Sequence, residues 1–171
     1  MIDVQGTASW SPDGKWIVTG GTDTAGPGLF KIPVDGNQPV RLLKGAATHP
    51  VWSPLGNLIV YNGAVVGAHA PLLGMTPDGL PVKLPEIAIY TNGERVRFLP
   101  DGKRLVFMKG AMRSQDFSVL DLTTMKMRVL TRLENRGETQ SFDVTRDGKR
   151  IVFDRLRDHS EIVLIDLPAV R

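Results

Sequence analysis

Apolar positions along the chain fall in short runs bounded by glycine, proline and aspartate, the pattern of many brief strands joined by tight turns. Four of these runs follow one recurring phrase. It reads Trp10-Ser11-Pro12-Asp13-Gly14-Lys15 before Trp16-Ile17-Val18, and Trp52-Ser53-Pro54-Leu55-Gly56-Asn57 before Leu58-Ile59-Val60. It returns as Phe98-Leu99-Pro100-Asp101-Gly102-Lys103 before Arg104-Leu105-Val106-Phe107, and as Val144-Thr145-Arg146-Asp147-Gly148-Lys149 before Arg150-Ile151-Val152-Phe153. The phrase glycines lie 42, 46 and 46 residues apart, the period of one four-stranded propeller blade.

Each phrase predicts a hairpin: an aromatic or β-branched residue ends one strand, the Pro-Asp-Gly type turn reverses the chain, and the apolar run begins the next. A third strand is expected at Leu29–Val34, Leu72–Thr76, Ser118–Leu122 and Glu161–Leu167. A fourth, outer strand follows in three repeats, at Val40–Leu43, Val82–Leu84 and Met127–Leu130, with the alternation of an edge that faces water on one side. The resulting fold class is all-β: a β-propeller of four four-stranded antiparallel blades, at about 7–44, 49–85, 95–131 and 140–168. The fourth repeat carries no outer strand, and Met1 aligns with Leu43 of the first repeat. Those matching cut points predict a partial, open propeller whose missing blades precede Met1.

The phrase Trp-Ser-Pro-Asp-Gly-Lys followed by an apolar run resembles the WD-like propeller repeats of the TolB type, and the resemblance covers nearly the whole chain. Repeat two departs from it at Leu55 and Asn57 and continues into the Gly-Ala-rich stretch Asn62–Ala70. The ending, Phe142–Arg155 through Ile165-Asp166-Leu167-Pro168, looks like the last blade of larger bacterial proteins in which such propellers follow a kinase, a DNA-binding regulator or a hydrolase-associated module. The resemblance implies a natural C-terminus, a missing N-terminal part, and a tendency to bind proteins or peptides.

Composition changes this picture little. Hydrophobic content of 42% with 23% charged residues is that of an ordinary globular domain, and 18 glycines with 12 prolines suit many turns. The net charge of +3 comes from 21 basic and 18 acidic residues scattered along the chain, with no clustered footprint for nucleic acid. Residues 1–85 are balanced, so the net positive charge lies from Glu86 onward. The absence of cysteine leaves both cytoplasm and periplasm open. No export signal or membrane span of roughly 18 apolar residues is written in the sequence.

Candidate chemistry is sparse. There is no G-x-S-x-G elbow, and His49, His69 and His159 are expected in loops without metal-ligand spacing. Asp13, Asp101 and Asp147 read as turn carboxylates accepting backbone N–H groups, so neither a metal nor a cofactor is expected. Trp10, Trp52 and Phe98 occupy equivalent places and read as packing between blades. Trp16 stands where the other repeats have Leu58, Arg104 and Arg150 and reads as a partly exposed contact residue. The alternating charges from Arg146 to Asp158 read as exposed strands and turns. Partner contacts are expected on the loops after each second strand, Gly20–Gly28, Gly63–Pro71, Lys109–Asp116 and Asp154–Ser160. The residues named for them are Trp16, Asp23, His69, Arg113, Arg155, Arg157 and His159. The expected function is non-enzymatic binding of a protein or peptide, with no nucleic acid and no membrane. The alternative is a sensor or gating propeller of a larger serine peptidase or protein kinase. A homodimer through open blade faces is the further partner expectation.

Overall fold

A computed structural model describes residues 1–91, 93–111, 114–133 and 138–156. It is all-β among these residues, and no helix is long and apolar enough to cross a membrane. The first blade comprises β1 (Asp3–Trp10), β2 (Trp16–Asp23), β3 (Gly26–Pro33) and β4 (Val40–Lys44), paired antiparallel in that order. The second follows the same plan in β5 (Thr48–Trp52), β6 (Ile59–Asn62), β7 (His69–Met75) and β8 (Pro81–Val82), with β9 (Ala88–Tyr90) as a fifth strand on β7. The third is β10 (Val96–Phe98), β11 (Arg104–Ala111), β12 (Ser114–Asp121) and β13 (Lys126–Val129). The fourth shows its first hairpin, β14 (Phe142–Val144) and β15 (Ile151–Phe153); the third strand expected at Glu161–Leu167 lies outside the described residues.

The repeated phrase builds one turn four times. The amide of Ser11 donates to the Trp16 carbonyl at 2.8 Å and that of Gly14 to the Ser11 carbonyl at 2.9 Å, with equivalents at Ser53, Leu99 and Thr145. The turn puts its glycine at positive φ, 70°, 75°, 62° and 67° in Gly14, Gly56, Gly102 and Gly148, where a side chain would strain the backbone. These glycines also let neighbouring turns touch. An added Cβ would lie 3.3 Å from Pro12 at Gly56 and 3.2 Å from Pro100 at Gly148, and at Gly102 it would meet Leu55 at 2.5 Å. Leu55, the departure in repeat two, thus covers the next turn as proline does elsewhere.

The turn carboxylates close the same motif. Asp13 accepts from the Ser11 hydroxyl at 2.6 Å and the Lys15 amide at 3.1 Å, and Asp147 from the Thr145 hydroxyl at 2.6 Å and the Lys149 amide at 3.1 Å. The hydroxyl bond is the main reason each carboxyl is held below its ordinary pKa of 3.8. A depressed folded-state pKa adds stability above the unfolded value and loses it as pH falls through the folded value. The stability contributed by these two carboxyls, read by thermal melts, is therefore expected to be constant above about pH 5 and to fall toward about pH 3. The double variant Asp13→Asn/Asp147→Asn should show a shallower fall.

Successive blades stack face to face. The Val18–Leu29 side of blade one packs on Trp52, Ile59, Tyr61 and Met75. The Val60–Leu72 side of blade two packs on Phe98, Leu105, Phe107 and Leu120, with Ile87 and Ile89 from the connecting segment. Val106, Met108, Phe117 and Val119 of blade three then meet Phe142, Val144, Ile151 and Phe153, where the Phe117 ring stands edge-on to Phe142 and Phe153 at 5.0 and 5.3 Å. No core cluster joins blade one to blade four among the described residues.

Three expectations need correction. Trp10 does not share the packing role of Trp52 and Phe98: it is 58% exposed where they are 7% and 8%, because no described blade covers its face. The outer edge of blade two is not one strand at Val82–Leu84; β8 is two residues long and β9 resumes the edge beyond it. His49 lies within β5 at a positive φ of 50° and His69 begins β7, so neither is a loop residue.

Candidate functional site

The broken edge of blade two creates an open concavity. Pro81 and Pro85 have no N–H to donate, so the outer strand cannot continue its ladder and the segment between β8 and β9 arches away from β7. Pairing resumes where the Leu72 amide donates to the Ile87 carbonyl at 2.9 Å. The Gly-Ala-rich stretch forms the neighbouring hairpin tip, in which Val66 and His69 exchange backbone hydrogen bonds of 2.7 and 3.2 Å around Gly67 at φ 62°. The tip leaves Val65 and Val66 exposed.

Between tip and arch lies an open groove of about 720 Å³, in the size range of ligand sites. Val66, Leu73, Val82 and Leu84 supply its apolar wall. Exposed Lys83, Glu86 and Lys109 supply its charges, two positive and one negative. His69 lines one end with its ring edge-on to Tyr90, centroids 5.7 Å apart.

A second polar grouping sits where the inner strands converge. Arg95, buried just before β10, donates to the Thr139 carbonyl, to Gln115 Oε1 at 3.0 Å and to Met108 Sδ at 3.4 Å, with its guanidinium 5.7 Å from the Tyr90 ring. Burial lowers its pKa, an effect opposed by the charges of Glu138 and Asp154. Arg97 pairs with Glu94 and reaches Asp143 at 3.6 Å. Burial would raise the pKa of Asp154, but the amides of Gln140 and Ser141 at 2.7 and 3.1 Å and the Ser141 hydroxyl hold it below the ordinary value. Thr139, Asp143 and Asp154 all flank or belong to blade four, so this network ties blade three to blade four. Among the described residues no group of three or more His, Asp or Glu side chains could hold a metal ion.

The expected contact residues do not converge on one patch. Asp23, His69 and Arg155 share the end of the blades where second strands finish, whereas Trp16 begins β2 at the opposite end. Asp23 is ion-paired with Arg41, whose guanidinium lies 4.7 Å over Phe30. Arg155 lies 5.5 Å over the Phe153 ring. Trp16 is half-buried, with the Lys31 ammonium 4.6 Å from its ring and donating onward to the Pro77 carbonyl at 3.0 Å. Arg113, Arg157 and His159 lie outside the described residues. Of the four described, only His69 lines the groove. Lys109 opens one of the expected loops, whereas Leu73 and Leu84 were not singled out; the signal for Leu84 was the pair Pro81 and Pro85 flanking a strand-like run.

No protein-family model matches the chain, and no curated protein matches it. Solved structures do. TolB from Acinetobacter baumannii is 20% identical, over 89% of this chain and 37% of its own, with a TM-score of 0.63. A structure of a nidogen/laminin complex is matched at 12% identity, 86% of this chain, 55% of that one and a TM-score of 0.60. A structure from work on two prolyl endopeptidases gives 18%, 91%, 26% and 0.64. The chain thus spans between 26% and 55% of these neighbours. At such identities the likeness speaks for the fold, and strand order, turn repeat and blade stacking agree with it: the chain has a TolB-like β-propeller fold.

Proposed function

We propose that this propeller segment binds proteins non-enzymatically, by taking an extended, apolar peptide carrying acidic groups into the groove on the outer edge of blade two. The observation that carries the reading is the groove itself: an apolar wall of Val66, Leu73, Val82 and Leu84 bordered by Lys83 and Lys109. Apolar side chains of a peptide would gain burial there, and the two ammonium groups favour carboxylates over cations. The likeness to a protein in complex with laminin is compatible with a binding role.

The test is fluorescence anisotropy with a labelled hexapeptide of alternating leucine and aspartate. Saturable binding is expected, weakened at least about tenfold, roughly 1.4 kcal/mol, by Leu73→Glu and by the double variant Lys83→Glu/Lys109→Glu. Absence of saturable binding, or binding that both variants leave unchanged, overturns the proposal. A second reading, a gating propeller within a larger enzyme, draws on the likeness to prolyl endopeptidases. A peptidase or kinase domain encoded in frame before Met1 would favour it.

A further inference from the structure

Glu86 is the only carboxylate among the residues that line the groove, and its side chain is half-buried there. It makes no hydrogen bond or ion pair among the described residues, although Lys83 and Lys109 line the same groove. The backbone that carries it is held on both sides. Pro85 fixes its own φ, and the carbonyl of buried Ile87 accepts the Leu72 amide at 2.9 Å. Half-burial costs the carboxylate part of its hydration, and only a cation brought to it offsets that loss. We infer that Glu86 sets the specificity of the groove by taking a cationic group of the bound peptide. The ligand class is then an apolar chain with carboxylates for Lys83 and Lys109 and one ammonium or guanidinium for Glu86. This rests on the peptide reading of the groove and adds which charges the peptide carries.

Other partners for Glu86 fit less well. A hard divalent cation takes about six to eight oxygen ligands, whereas Glu86 stands without a second carboxylate in the groove and belongs to no group of three acidic or histidine side chains among the described residues. A wholly acidic peptide would bring one of its carboxylates against Glu86, and like charges across an interface cost affinity. A peptide of mixed charge avoids that cost and meets all three groove charges at once. Its cation can be a lysine or arginine side chain or a free amino terminus, which share the same chemistry.

Fluorescence anisotropy on the full chain tests it. The parent probe is the leucine–aspartate hexapeptide, labelled through its carboxyl end and acetylated at the other. Three relatives carry lysine in place of one aspartate in turn, and a fourth keeps every aspartate but has a free amino terminus. At least one relative is expected to bind about threefold to tenfold more tightly than the parent, between the effects of an exposed and a buried charge pair. A lysine relative would identify a side-chain cation, and the free amine a chain terminus. Glu86→Gln should abolish the preference and Glu86→Lys should reverse it, whereas Leu73→Glu should weaken all the peptides alike. Saturable binding in which no relative exceeds the parent, or a preference that survives Glu86→Gln, overturns this inference alone. Absence of saturable binding by every peptide overturns the peptide reading and this inference with it.

Discussion

Replacing Trp52 by alanine is expected to cost about 3–5 kcal/mol of stability, the range for emptying a large aromatic site in a core. The ring belongs to the cluster between blades one and two, beside Val18, Leu29, Ile59 and Met75, and its indole N–H donates to the Gly56 carbonyl at 3.3 Å. Removing it takes away the surface on which blade one rests and leaves a void that rigid sheets cannot close. Trp10→Ala changes the same residue type at the same repeat position and should shift the unfolding free energy of the monomer by less than about 0.5 kcal/mol, as surface substitutions do. Urea denaturation of both variants at low protein concentration checks the contrast. Equal losses would mean that Trp10 is covered within its own chain.

The second large effect is expected at Gly20. It lies in β2 outside the left-handed region, so its importance is space and not conformation. A Cβ there would stand 2.2 Å from the Ala47 carbonyl oxygen and 3.2 Å from Thr48 Cα, both backbone atoms of the link into blade two. Neither can turn aside as a flexible side chain could. Gly20→Ala should push the two blades apart and cost about 1–3 kcal/mol or more, the usual penalty for overfilling a packed site. A lowered urea midpoint is the expected result; an unchanged one would mean that the blades do not approach so closely.

The repeat made the first three strands of blades one to three and the first hairpin of blade four legible, because turn chemistry is local: proline and glycine set the backbone, and a short carboxylate or hydroxyl ties the corner. What escaped depends on neighbours. Val82-Lys83-Leu84 alternates like an edge strand, yet Pro81 and Pro85 deny it N–H donors, and the edge is resumed by the three residues Ala88–Tyr90, too brief a run to stand out. Trp10 shows that a sequence position marks which side of a blade a residue occupies, whereas coverage of that side depends on what packs there. Arg95 and Arg97 alternate as exposed charges would, but their side of β10 faces blade four, which buries the first. The groove was foreseen only in part: Val66 and Lys109 belong to the expected loops Gly63–Pro71 and Lys109–Asp116, whereas Leu84 comes from a separate stretch and meets them only through the fold.

The central claim is the stacking of successive blades in chain order, and a nuclear Overhauser spectrum of methyl-labelled protein tests it most directly. Cross-peaks are predicted from the Trp52 ring to methyl groups of the Val18–Leu29 face, and from the Phe107 ring to those of the Val60–Leu72 face. A well-dispersed spectrum in which Trp52 and Phe107 lack these partners would contradict it.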